Sequence, residues 1–144
     1  MRVVCQRVSE ASVLVNKEVV GHINLGYLLY VGFHEDDTHI QVKKMVDKIS
    51  KLRIFEDEQG KLNLNLSQVG GDILAVSQFT LYGDVTSNHR PSFTKACKPD
   101  TAVLLYESFV NELKLLFHVE TGIFQTHMEV SSVNDGPVTI LIEY

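Results

Sequence analysis

The chain has 144 residues, 44% of them hydrophobic and 22% charged, with a net charge of -5. That length suits a single domain spanning 1–144 with a proper core, and the composition excludes a disordered chain. No run approaches the ~18 apolar residues of a membrane span, and the acidic balance argues against broad nucleic-acid binding, which needs Lys and Arg against phosphates.

Met1-Arg2-Val3-Val4 enters a strand directly and leaves no room for a signal peptide. Residues 2–15 are rich in β-formers: Val3 and Cys5 share one parity, Val13 and Val15 share one, and Val8 breaks the pattern. Asn16-Lys17-Glu18 reads as a hairpin turn into a strand at 19–23, and Tyr27 to Phe33 as a central strand. Asp36-Asp37-Thr38 offers helix caps, and Ile40, Val42, Met45, Val46, Ile49 and Leu52 predict a helix over 38–52. An acidic turn at 56–61 leads to alternating Leu62, Leu64 and Leu66, a half-buried strand. Gly70-Gly71 turns the chain into a strand over 72–81, and the polar stretch 83–92 is a loop. Pro99-Asp100-Thr101 starts a second helix, to about His118, with Leu104, Leu105, Phe109, Leu113 and Leu116 inward. From Gly122 the chain returns to strand until Tyr144. The pattern predicts an α+β fold, a small, mainly antiparallel sheet or barrel with two packed helices.

Two segments conflict with this orderly patterning. Ser77-Gln78-Phe79-Thr80-Leu81 sets polar residues at the end of an apolar strand, and Asn134-Asp135-Gly136-Pro137-Val138-Thr139 sets a Gly-Pro step inside another. Buried polar groups cost stability unless paired, and proline removes a ladder donor. Such local conflicts mark a site. Ser77 and Thr80 are possible nucleophiles, but no G-x-S-x-G elbow surrounds Ser77, and both hydroxyls can instead satisfy nearby backbone. The six histidines lack metal-ligand spacing, so no metal or other cofactor is expected. Cys5 and Cys97 read as free core thiols of a reducing cytosol. Gly136-Pro137 is either an ordinary trans turn or a cis step that holds its carbonyls outward, and Asn134, Asp135 and Thr139 could anchor it. Lys43, Lys44, Lys48, Lys51 and Arg53 form one basic cluster, read as a solvated helix face. Arg90, Lys95 and Lys98 form another, beside the first motif, where a phosphate-bearing substrate could make contact.

Together these motifs make the chain resemble the D-aminoacyl-tRNA deacylases over essentially its whole length. The likeness is carried by the Val4–Val13 pattern, by 51–61, by Ser77 to Leu81, by Arg90-Pro91-Ser92-Phe93 and by Asn134 to Thr139. The resemblance implies a cytoplasmic hydrolase that cleaves the ester between a D-amino acid, or glycine, and the 3′ end of tRNA. Its substrates would be D-aminoacyl-tRNA and Gly-tRNA, with no membrane partner. It further implies a homodimer with sites at the subunit interface, where a Gly136-cisPro137 step enters the partner's pocket and excludes L-residues. Asn134 would brace that step. Backbone near Phe79 and Thr80, with Ser77 and Gln78, would hold the ester, and the ribose 2′-OH would help activate water. Phe124 would stack on the terminal adenine, Arg90 would contact the tRNA end and Ala102 would line the pocket. Asn88-His89 and Gln125-Thr126 depart from the family pattern. A non-catalytic tRNA-end binding module is the alternative, and a small-ester hydrolase a third.

Overall fold

Eight strands and three helices form in chain order in the computed structural model, which describes all 144 residues. They are β1 (Arg2–Val15), β2 (Glu18–Ile23), β3 (Gly26–Gly32), α1 (His39–Lys51), β4 (Arg53–Glu56), β5 (Leu62–Asn65), α2 (Leu66–Val69), β6 (Asp72–Ser77), α3 (Pro99–Lys114), β7 (Val119–Thr121) and β8 (Glu129–Glu143). A 3-10 turn, Phe79–Tyr82, follows β6.

The main sheet runs β2-β1-β3-β6-β7, with β8 along the other flank of β1. β1 pairs antiparallel with β2, β3 and β8, whereas β3–β6 and β6–β7 are parallel. The sheet is therefore mainly antiparallel, as expected, with two parallel ladders at one end. It curls until its ends almost meet: a Cβ on Gly21 of β2 would lie 2.6 Å from the Thr121 carbonyl oxygen of β7. Only glycine permits that approach.

Two cores result. Val8, Ala11, Val13, Ile23, Leu28, Leu74 and Val76 form the smaller one. The larger fills the space between the sheet's other face and α1 and α3, through Val3, Cys5, Tyr27, Leu29, Ile73, Met45, Ile49 and Phe109. β1 contributes to both. Its ladder with β8 shifts register around Val8, so Val3, Cys5 and Arg7 face the larger core and Val8, Ala11 and Val13 the smaller. That is why Val8 breaks the alternation. Thr38 caps α1 with a reciprocal bond to Gln41, as the polar residues before it predict.

Several boundaries differ from the sequence reading. The strand predicted to 81 ends at Ser77, because the chain leaves the sheet there for the 3-10 turn. Leu66 opens a one-turn third helix whose Asn65–Gln68 capping box stops the strand before it. Residues 53–56 form β4, which pairs with β5. The second long helix stops at Lys114, and Leu104 and Leu116 point outward, 61% and 56% exposed; Tyr106 and Val110 are buried in their place. β7 begins at Val119, and 122–128 is a connecting loop. β8 continues across Gly136-Pro137, in keeping with the strand read to Tyr144.

Candidate active site

β6 ends where it does because Ser77 is the last residue in register with β3, opposite Val31. The Gln78 N–H donates to the Val31 carbonyl at 2.7 Å, and the backbone then coils into Phe79–Tyr82. A cleft of about 860 Å³ opens beside this point. Ser77, Gln78 and Phe79 form one wall. Lys98, Pro99 and Ala102, at the start of α3, form another. Phe124 to Met128 close it.

The cleft is mostly apolar with a few polar groups, the usual makeup of a small-ligand site. Phe79 is 56% exposed and meets Phe93 edge-on, with ring centroids 5.0 Å apart. Phe124 tilts against Tyr106 at 6.0 Å. The Tyr106 hydroxyl is in turn held by the Ala75 carbonyl at 2.8 Å, and its burial pushes its pKa far up. Phe124 thus sits on a fixed base with its ring half-exposed to the cleft, ready to receive a flat apolar group. α3 points its N-terminus, with Lys98, at the same space, which favours negative charge. Cys97 lies on the floor. Burial, and secondarily the Asp37 carboxylate, raise its pKa, partly offset by the Lys98 backbone N–H, so it stays a thiol at neutral pH.

Neither candidate hydroxyl has a base. Thr80 Oγ1 accepts from the Gln78 side-chain amide. Ser77 makes no side-chain hydrogen bond, and no histidine or carboxylate contacts either group. Phe79 and Thr80 open the 3-10 turn, so their N–H groups have no partner within it and are free to meet an acceptor.

The second motif is braced from several sides. Asn134 Oδ1 accepts from the Val138 N–H at 3.1 Å, and its amide donates to Thr139 Oγ1 at 2.9 Å. Gln6 also donates to Thr139 Oγ1, at 3.2 Å. Arg7, only 5% exposed, donates from Nε to the Asp135 carbonyl at 3.1 Å and from Nη1 to the Ile54 carbonyl at 2.9 Å. Gly136 has φ +125°, the Gly136-Pro137 peptide is cis, and both residues are exposed.

Within one chain the structure gathers Ser77, Gln78, Phe79, Ala102 and Phe124 around the cleft. Thr80 and Arg90 are exposed outside it, and Asn134, Gly136 and Pro137 lie elsewhere on the barrel. Sequence reasoning missed Arg7 and Phe93. Arg7 had a readable signal: a lone arginine sharing the inward parity of Val3 and Cys5 is a buried charge and needs partners.

A family profile described as D-Tyr-tRNA(Tyr) deacylase matches residues 4–143. A curated D-aminoacyl-tRNA deacylase of Exiguobacterium sp. is 56% identical over 144 residues, covering 99% of this chain and 98% of the relative. One from Thermotoga petrophila is 54% identical over 144 residues, covering 99% and 97%. Among solved structures, one described as c-Myc DNA Unwinding Element Binding Protein superposes with a TM-score of 0.95 at 38% identity, over 100% of this chain and 99% of that one. A second, described as a probable eukaryotic D-amino acid tRNA deacylase, gives 0.85 at 19% identity over 98% and 97%, a likeness of fold.

Proposed function

Because the chain belongs to the D-Tyr-tRNA(Tyr) deacylase family, we propose that its cleft takes the 3′ aminoacyl end of tRNA and that Gly136-Pro137 of a second subunit completes it. D-aminoacyl-tRNA deacylation is the activity of this chain; what is proposed is how the site achieves and restricts it. The carrying observation is the separation of the two motifs. The cleft holds Ser77, Gln78, Phe79, Ala102 and Phe124, while the braced Gly136-Pro137 projects, exposed, from another part of the barrel. A homodimer brings one to the other. β8 supports that reading, since its whole outer edge is unpaired and carries the exposed Val133 and Leu141.

In the assembled site the Gly136 and Pro137 carbonyls accept from the substrate's amino group and occupy the space an L side chain needs. A D side chain, or the hydrogen of glycine, points away from them. The N–H groups of Phe79 and Thr80 hold the ester carbonyl as negative charge develops on it. Water adds to the acyl carbon, the ribose 3′ oxygen leaves with a proton, and the substrate's 2′-OH assists the water. Phe124 stacks on the terminal adenine, a contact worth ~1–3 kcal/mol. Such proofreading belongs in the cytoplasm, with translation. No helix is long and apolar enough to cross a membrane.

The test is release of the amino acid from D-Tyr-tRNA, L-Tyr-tRNA and Gly-tRNA. The first and third should be hydrolysed and the second left intact. Binding of D-Tyr-tRNA without release would instead favour a binding module. For the shared site, chains carrying Gly136→Ala are mixed with chains carrying Phe124→Ala. Hybrids contain one intact site only if the motif crosses the interface, so regained turnover supports the arrangement and its absence overturns it.

A further inference from the structure

The cleft takes only the terminal nucleotide and its amino acid, so the body of the tRNA must lie on the outer surface. That surface belongs to a protein of net charge -5, which repels a polyanion unless a local patch receives it. α1 presents such a patch. Val42, Met45, Val46 and Ile49 face the core, and Lys43, Lys44, Lys48 and Lys51 are exposed on the opposite side. Lys44, Lys48 and Lys51 follow at i, i+4 and i+7, a single stripe. Lys51 is paired with Asp47, whereas Lys43, Lys44 and Lys48 have no acidic partner. Thirteen residues of helix make a ridge about 20 Å long.

The ridge has a direction. At its C-terminal end the Leu52 carbonyl accepts from the Tyr27 hydroxyl at 3.0 Å, and Tyr27 is the ladder partner of Arg7. The chain continues through exposed Arg53 to Ile54, whose carbonyl accepts from Arg7. The basic ridge therefore ends beside the Arg7 clamp and the Gly136-Pro137 edge. We infer that the outer face of α1 is a docking surface for the sugar-phosphate backbone of the tRNA, and that it serves the site completed by its own chain's Gly136-Pro137. This second part rests on the cross-subunit reading above. The subunit that checks the amino acid's hand also holds the nucleic acid leading to it.

The test compares D-Tyr-tRNA with a minimal substrate, 3′-O-D-tyrosyl-adenosine, in the triple variant Lys43→Gln, Lys44→Gln and Lys48→Gln. On the tRNA at low salt, kcat/KM should fall roughly tenfold or more, mainly through KM, and the slope of log kcat/KM against log salt should flatten by about two to three. On the minimal substrate both constants should stay at wild-type values. Asp47→Asn, which releases Lys51, should move the tRNA constants the other way. Unchanged tRNA constants, or equal losses on both substrates, would overturn the inference. In Gly136→Ala and Phe124→Ala hybrids, the triple change should lower turnover when it sits on the chain with intact Gly136 and not on the other. The reverse dependence overturns the assignment to that site. Hybrids with no turnover at all mark failure of the cross-subunit reading, which the comparison of the two substrates does not need.

Discussion

Arg7 Nε lies 3.1 Å from the main-chain carbonyl of Asp135, one residue before Gly136, and 3.2 Å from that residue's Oδ2. Through Nη1 the same guanidinium bonds the Ile54 carbonyl, so one planar group ties β1, β4 and β8 together at the motif. A lysine keeps the charge but cannot span both carbonyls. Arg7→Lys should therefore lose at least tenfold in kcat/KM on D-Tyr-tRNA. Its stability should fall by about 1.5–3 kcal/mol, the range for a hydrogen bond to a charged group, read by urea denaturation. Wild-type turnover in Arg7→Lys would mean that the motif holds its shape without the clamp.

Gly136→Ala separates the motif's role in catalysis from its role in folding. At φ +125° an L-residue is strained, and the new Cβ would meet Val138 Cγ2 at 2.8 Å and Arg7 Nη2 at 3.0 Å. The cost to stability should be about 1–3 kcal/mol, confined to an exposed stretch of β8. Turnover of D-Tyr-tRNA should fall much further than that loss of stability would explain. A folded Gly136→Ala protein with normal turnover would remove the motif from the site.

The strands and long helices were readable because apolar spacing and burial agree, as in Val42, Met45, Val46 and Ile49 of α1. The errors fall where local chemistry overrides that spacing. Leu66 fits the alternation of Leu62 and Leu64, yet Asn65 and Gln68 cap a helical turn around it. Leu104 lies outside because α3 turns Leu105, Tyr106, Phe109 and Val110 inward, and Leu116 because the helix stops at Lys114 before reaching it. The parallel pairing of β3 with β6 and of β6 with β7 is a tertiary choice without a local signature. Ser77 to Phe79, at the cleft, and Gly136-Pro137, away from it in the same chain, both stand out in the sequence as breaks in pattern. Phe93 does not, since an aromatic in a polar loop is visible only once its contact with Phe79 forms.

Thr80→Ala distinguishes a reacting hydroxyl from a bracing one. The Thr80 hydroxyl has the Gln78 amide as its partner and no base, so the substitution removes a surface hydrogen bond, worth roughly 1 kcal/mol. Turnover on D-Tyr-tRNA should stay within about tenfold of wild type by that measure, and Thr80→Ser should restore it. Rapid quenching of the wild-type enzyme should trap no acyl-protein. Complete loss in Thr80→Ala together with a trapped acyl-Thr80 would establish it as the nucleophile.

Stability should fall in alkali. Burial raises the pKa of Cys5 far above its ordinary 9.0 and those of Tyr27 and Tyr106 far above 10.0, and Tyr82 is pushed up to about 12. In each case the folded protein keeps a proton that the unfolded chain gives up. The contribution is thus complete below the unfolded pKa and is lost as pH rises towards the folded one. Urea denaturation should give constant stability up to about pH 8.5, then a decline that steepens through pH 9 to 11 as the ordinary thiol and phenol pKa values are passed. Each group adds at most about 1.4 kcal/mol per pH unit. Cys5→Ala removes the more deeply buried of the two thiols, which titrate before the tyrosines, so its decline between about pH 8.5 and 10 should be shallower than that of wild type. Identical alkaline slopes for Cys5→Ala and wild type would show that the Cys5 proton is not what the fold retains.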